Sequence, residues 1–354
     1  MTARRSPWST RGLLARLIWV LPLLALIDLA VRLFVQRSPF ENPLAATRER
    51  FLWLALGLAI LPWCTNAARI FVWARVLGAA VTKRRAFSVA LAIDVGGAIS
   101  PTLVGGLPLK AAALLEAGVS PARTGMLCTI AAVEDALFIL VAIPFCWFHA
   151  RLDWPALSQD RAAGIVPFFI GGVISLLLLR VALRRRRAGG KLTNRLRRAI
   201  VALRRAARCA RRSARSVLPL TLGLTAVQWT ARYSVATAIL AALGLAPDPI
   251  DAFLRQWIAF VMMSLSPAPG GAGVAEPSLS LAFAGVASPE VLSRATAIWR
   301  FVLFYLVVGL AAVGLLGLGA RPTRGEPRNE APPKSASERK RPRRKPPGPF
   351  DLHR

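Results

Sequence analysis

The sequence predicts an all-α, polytopic membrane protein, with about six spanning helices and two re-entrant hairpins of half-length helices in an inverted repeat. Of the 354 residues, 55% are hydrophobic and only 18% are charged, against about 25% charged in soluble proteins. Several apolar stretches reach the roughly 20 residues with which a helix crosses the hydrocarbon core. Two of them are interrupted near the middle, in corresponding positions of the two halves.

Six uninterrupted apolar segments are long enough to span a membrane. They are residues 13–35, 51–73, 123–148, 163–183, 217–243 and 290–318. The first follows a basic N-terminus but lacks a convincing small-residue cleavage site, which predicts a retained helix and not a signal peptide. The sequence therefore predicts a transmembrane domain over 13–318, a cytoplasmic segment over 1–12 and a disordered, proline-rich basic tail over 319–354.

Each half of the chain also contains a broken apolar segment. Residues 86–118 are interrupted from Ser100 to Gly106, and residues 252–286 from Ser266 to Gly273. Proline and paired glycines stop helices, and lipid cannot satisfy the backbone groups that a break exposes. We therefore expect both breaks to line a cavity inside the protein.

The two halves match in spacing as well as in composition. The interval from Pro101 to Glu134 is the same as the interval from Pro267 to Arg300. A span, a broken hairpin and a span in opposite orientations form the inverted-repeat plan of many transporters. Chance similarity between Ala- and Gly-rich segments is the alternative.

Basic residues are concentrated at two places. Residues 180–215 contain 15 basic side chains and no acid, and residues 321–354 contain 11 basic and four acidic ones. Basic loops beside apolar spans predict that the loop 184–216 and both termini are cytoplasmic, in a bacterial-type plasma (inner) membrane. They also predict attraction to an anionic lipid surface. We expect no nucleic-acid partner, and a homo-oligomer is compatible with the sequence.

The residues that supply metal sites and catalysis are sparse. The four cysteines lack metal-ligand spacing, so we expect no disulfide framework, no metal and no cofactor. There is no Asp-x-Asp motif, and the two histidines are His149 and His353. These observations argue against an enzyme.

The first break carries a candidate phosphate site. The half-helix after Gly105 and Gly106 presents free N–H groups and the positive end of its dipole, and Lys110 lies about one turn further on. This combination suits an anion. The alternative is that the glycines allow close helix packing and that Lys110 extends to the membrane surface.

The second break contains Gly270, Gly271 and Gly273, followed by Glu276 at the start of a half-helix. Ionisable groups at membrane depth are rare and usually functional. A carboxylate that caps the helix is the alternative.

Further charges lie inside the spans. Glu134 and Asp135 belong to one span, and Arg300 holds the position equivalent to Glu134 in the other half. Because isolated charges are costly in hydrocarbon, we expect Glu134 and Arg300 to meet across the pseudo-symmetric interior, as a structural pair or as a functional one. Four more polar residues are expected to line the same cavity: Asn66, Arg69, Gln228 and Arg232.

These motifs resemble those of the lysylphosphatidylglycerol synthase transmembrane family. The stretch from Ser266 to Glu276, with Arg300 downstream, is similar to the Pro-Gly-Gly-x-Gly-x-x-Glu signature and later Arg of that family. Three elements of the first half are similar too, although less specific: Pro101, Gly105-Gly106-x-x-x-Lys110, and Asn66 with Arg69.

The resemblance covers about residues 13–318 and implies translocation of a lipid. One departure is that Asp135 follows Glu134 where the family often has Arg, and Phe138 stands where it often has Asp. No aminoacyl transferase-like sequence follows residue 320, so synthase activity is not expected. A flippase for an anionic or zwitterionic phospholipid is therefore the first hypothesis. A proton-coupled small-solute transporter and a membrane-embedded lipid-modifying transferase are the alternatives.

Overall fold

The computed structural model describes residues 47–100, 105–150 and 216–319. These residues form helices joined by turns and loops, and there is no β-strand among them. The helices are α1 Glu49–Val76, α2 Lys83–Ala98, α3 Gly106–Glu116, α4 Pro121–His149, α5 216–233, α6 Val235–Ala242, α7 Pro249–Ser264, α8 Ala275–Ala282, α9 Pro289–Arg300 and α10 Val307–Gly319. The predicted spans 13–35 and 163–183, the tail from 320 and the basic loop up to 215 lie outside the described residues.

Helix boundaries follow local sequence signals. Pro121, Pro249 and Pro289 each stand in the first turn of a helix, where a missing N–H costs nothing. Asp248 caps α7 by accepting hydrogen bonds from two backbone amides, as the unsatisfied N–H groups of a first turn require.

Three of the described helices are long and apolar enough to cross a membrane. They are α1, α4 and the continuous helix Pro289–Leu318, in which the π-helical turn Phe301–Leu306 joins α9 to α10. The predicted helices over 51–73, 123–148 and 290–318 are thereby confirmed. Large apolar side chains such as Trp53, Val141 and Leu265 are at least 70% exposed, as a lipid-facing surface requires.

The predicted span 217–243 is helical but contains a turn at Ser234, which separates α5 from α6. The buried Gln256 of α7 lies beside this turn. Its Oε1 accepts a hydrogen bond from the Ala236 amide at 2.6 Å, and its Nε2 donates to the Arg232 carbonyl at 2.8 Å. A partner distant in sequence thus satisfies backbone groups at the interruption.

Helices also end at both predicted breaks. α2 packs on α3, and α7 packs on α8. These four helices have 16, 11, 16 and 8 residues. A helix needs roughly 20 residues to cross the hydrocarbon core. The helices beside each break are therefore too short to cross it alone.

Candidate functional site

Arg69 of α1 is the centre of a buried polar cluster. Its Nη2 lies 2.9 Å from Oε2 of Glu134, and its Nη1 lies 2.8 Å from Oδ1 of Asp135 and 3.1 Å from Oε1 of Gln228. Trp73 Nε1 donates to the other Glu134 oxygen at 2.8 Å. Both Glu134 oxygens therefore have donors, and this cluster, the Arg69 cluster, ties together α1, α4 and α5.

Arg300 forms the corresponding cluster in the C-terminal part of the chain. Its Nε lies 3.2 Å from Oε1 of Glu276, and its Nη1 donates to the Gly270 carbonyl at 2.8 Å. Its guanidinium carbon stands 4.2 Å from the centre of the Phe304 ring. The expected pairing of Glu134 with Arg300 is therefore wrong, because each charge pairs with a nearer partner.

The backbone conformation of the second break explains why glycines are present there. Gly270, Gly271 and Gly273 have φ values of 61°, 70° and 77°, a left-handed conformation that other residues adopt only with strain. A Cβ on Gly270 would collide with the Phe304 ring. The glycines thereby allow the chain to bring the Gly270 carbonyl to Arg300.

The glycines of the first break serve close packing. A Cβ on Gly105 would collide with the Gly96 carbonyl oxygen, and one on Gly106 would stand 2.9 Å from the Ile93 carbonyl oxygen. Packing between α2 and α3, the alternative considered for these glycines, is therefore part of their role. Gly106 also lines two cavities.

The larger of these, which we call the lysine cavity, has a volume of about 290 Å³. Among the described residues, its polar lining consists of Asn66, Asp94, Lys110, Asp135, Gln228 and Arg232, beside Trp63, Trp229 and Cys128. Only 4% of Lys110 is exposed to solvent. Within the described ranges, Lys110 has no hydrogen bond and no salt bridge to a carboxylate, so its ammonium is available to a ligand.

The smaller cavity, which we call the arginine cavity, has a volume of about 160 Å³. Its walls are mainly apolar, including Phe260, Trp299 and Leu303, and Arg300 contributes the charge specific to it. The residues predicted from sequence thus separate into two groups. Asn66, Lys110 and Asp135 line the lysine cavity with Arg69 and Glu134 behind them, whereas Glu276 and the Gly270 carbonyl contact Arg300.

Asp94 of α2 is a site residue that the sequence interpretation missed. Its Oδ1 accepts from Arg232 Nη2 at 2.9 Å, and its Oδ2 accepts from Trp63 Nε1 at 2.6 Å. Asp94 is the one carboxylate within α2. A lone acid in an apolar stretch is the signal that would have identified it.

The comparisons with known proteins agree with this architecture. Residues 14–311 match the family described as the lysylphosphatidylglycerol synthase TM region. The chain belongs to this family. A UPF0104 membrane protein of Archaeoglobus fulgidus is 22% identical over 316 residues, which cover 82% of this chain and 94% of that relative.

Membership in the lysylphosphatidylglycerol synthase transmembrane family confirms the resemblance that the two motifs predict. Together with the apolar helices, it identifies the chain as a membrane protein. The matched region includes Asn66, Lys110 and Arg300, so the described charged residues of both cavities belong to the part of the chain that is similar to the family.

Proposed function

We propose that this protein is a lipid transporter, a flippase that moves an anionic or zwitterionic phospholipid between the leaflets of a bacterial-type inner membrane. The observation that supports this proposal most strongly is Lys110. Lys110 is buried and lines a cavity of about 290 Å³, and it forms no hydrogen bond or salt bridge with any of the described residues. A buried charge without a partner is costly, and a phosphate would compensate it.

The size and charge of the lysine cavity support a headgroup as its occupant. Its volume is at the lower limit for small-molecule sites, which suits a headgroup better than a whole lipid. Asp135 also lines the cavity, and 29% of its side chain is exposed. Lys110 and Asp135 together would accommodate a phosphate and an ammonium, so both anionic and zwitterionic headgroups remain suitable.

The spacing of charges supports an inverted repeat. Lys110 follows Pro101 at the same interval at which Glu276 follows Pro267. Two broken segments with a charge at the same offset suit transport by alternating exposure of a central site. In this proposal the basic loop and tail are cytoplasmic and contact the anionic lipid surface.

The test is phospholipid translocation in proteoliposomes. Lys110→Ala should lower the rate about tenfold or more at limiting lipid, because a hydrogen bond to a charged group contributes about 1.5–3 kcal/mol. Lys110→Arg should retain much of the rate. Lys83→Ala is the matched control, since Lys83 is exposed. The assay follows fluorescent phosphatidylglycerol and phosphatidylethanolamine, with a fluorescent diacylglycerol as the phosphate-free control.

The same preparation separates the alternative functions. Uptake of soluble anions without lipid movement would favour a solute transporter, and a chemically altered lipid would favour a transferase. If folded Lys110→Ala translocates phospholipid at the wild-type rate, the phosphate-site proposal fails.

A further inference from the structure

The lysine cavity and the arginine cavity share part of their walls. Four residues line both of them: Ile93, Asp94, Gly106 and Arg232. Ile93 and Gly106 bring α2 and α3 together at this wall, where a Cβ on Gly106 would already be too close to Ile93. The polar part of the wall is the ion pair between Asp94 and Arg232, 2.9 Å apart.

This ion pair is more accessible than the Arg69–Glu134 and Arg300–Glu276 pairs. The side chains of Arg232 and Asp94 are 26% and 14% exposed, whereas those of Arg69 with Glu134 and of Arg300 with Glu276 are at most 3% exposed. Charges that retain contact with a cavity lose less when they separate, because a ligand or water can replace the partner. The Asp94–Arg232 pair is therefore the easiest of the three to open.

Arg232 also has N–H donors that form no hydrogen bond with the described residues. Its Nη2 donates a hydrogen bond to Asp94, and its Nε is buried without a hydrogen-bond partner among the described residues. A guanidinium has five N–H donors in a planar fork that matches a phosphate. The Arg232 carbonyl is held by Gln256, so the backbone is anchored while the long side chain can change partners.

We propose that Asp94 and Arg232 form a partition between the two cavities, and that a phosphate ester in the lysine cavity opens it by taking Arg232 from Asp94. The phosphate then lies between Lys110 and Arg232, which line the same cavity, and Asp94 keeps its hydrogen bond from Trp63. Opening joins the lysine cavity to the arginine cavity. The inference rests on the proposed function, since it names the second phosphate-binding residue of the same site.

The test is the accessibility of an introduced thiol in the arginine cavity. Leu303→Cys is made in a protein whose four native cysteines are alanine and is reconstituted in phosphate-free digalactosyldiacylglycerol liposomes. A membrane-impermeant thiol reagent is added to each side in turn. Adding phosphatidylglycerol to the bilayer should raise the labelling rate from one side about fivefold or more, the range of coupling between linked sites. Glycerol 3-phosphate in solution is the second arm.

Two variants test the partition without a ligand. Asp94→Asn keeps the shape and the acceptor for Trp63 but removes the charge that holds Arg232, so labelling should already be high in the phosphate-free liposomes. Arg232→Gln should also raise basal labelling and abolish the response to phosphatidylglycerol. The matched control is Asp251→Asn, which removes a carboxylate 2.8 Å from Arg255 outside both cavities and should leave labelling unchanged.

The outcomes distinguish this inference from the proposed function. Unchanged labelling in Asp94→Asn, or no response to either phosphate ester, overturns the inference even if the wild type translocates phospholipid. A response to glycerol 3-phosphate alone supports the partition and assigns the site to a soluble phosphate ester, which contradicts the flippase proposal. A response to phosphatidylglycerol that requires Arg232 supports both.

Discussion

Among the described residues, the charged side chains of the two buried clusters differ from those that line the cavities. Arg69 with Glu134, and Arg300 with Glu276, are almost fully buried and meet each other directly. Lys110 and the Asp94–Arg232 pair instead line cavities. Each buried pair joins two helices. Removal of one member would leave an uncompensated buried charge, so these pairs contribute to stability. Lys110 and the Asp94–Arg232 pair are available to a ligand.

The Arg69 cluster gives a prediction for stability. Arg69→Met should destabilise the protein by about 3–5 kcal/mol, since Glu134 would keep its charge without its cation. The double variant Arg69→Met with Glu134→Gln should recover a large part of this loss. Thermal unfolding of the purified protein in detergent measures both effects.

Asp135→Asn is the control for that experiment. Asp135 also contacts Arg69, but 29% of its side chain is exposed, so solvent compensates part of the lost interaction and the effect should be about 1 kcal/mol or less. Equal unfolding temperatures for Arg69→Met and Asp135→Asn would show that burial of the Glu134 pair does not determine stability here.

The partners of these charges could be predicted only in part. The cost of an isolated charge in hydrocarbon requires that Glu134 find a cation, and that much follows from the sequence. Both Arg69 and Arg300 satisfy this requirement equally well. Contact of α1 with α4 brings Arg69 to Glu134, and no sequence offset reports that contact.

The geometry of the second break predicts that two similar glycine substitutions lower the stability of the protein by different amounts. Gly270 and Gly273 both have positive φ, which costs a residue with a Cβ about 1–2 kcal/mol. A Cβ on Gly270 would also collide with Phe304, whereas one on Gly273 meets nothing within 4 Å. Gly270→Ala should therefore destabilise the protein more than Gly273→Ala, as measured by thermal unfolding.

A second substitution separates strain from collision. Phe304→Leu removes the ring that the new Cβ meets, so adding it to Gly270→Ala should restore part of the lost stability. Adding it to Gly273→Ala should give no such recovery. Equal stability of the two glycine variants would contradict the proposed contact between the break and the π-helical turn.

The sequence predicts elements best where the signal is local. Proline and glycine mark the ends of α2, α3, α7 and α8 because they act on the backbone of their own segment. The turn at Ser234 is different, since Gln256 of another helix supplies the hydrogen bonds beside it. The position of Asp94 between two cavities likewise depends on how α2 and α5 pack, which periodicity cannot report.

For the whole molecule, the two halves carry opposite charges at corresponding positions. Lys110 follows Pro101 at the same sequence interval at which Glu276 follows Pro267, and the same holds for Glu134 and Arg300. In the second half the corresponding pair is closed at 3.2 Å. In the first half Glu134 pairs with Arg69 instead of Lys110, and Lys110 lines the cavity. If the halves form an inverted repeat, as we propose, this difference is what makes the lysine cavity the binding side.

The inverted repeat also predicts topology, and this prediction can be tested with three cysteine variants in a protein that lacks its four native cysteines. Ser120 precedes α4 and Glu290 lies in the first turn of α9, and both are exposed. Both positions lie at the start of the helix that follows a broken segment, so inversion of the two halves requires them to face opposite sides of the membrane. Basic flanks predict that Ser120→Cys and Lys345→Cys are cytoplasmic, whereas Glu290→Cys is external.

Labelling of intact cells with an impermeant thiol reagent should therefore modify the Glu290 variant alone. Labelling of the Ser120 and Glu290 variants from the same side would exclude inversion, and labelling of the Lys345 variant in intact cells would exclude a cytoplasmic tail.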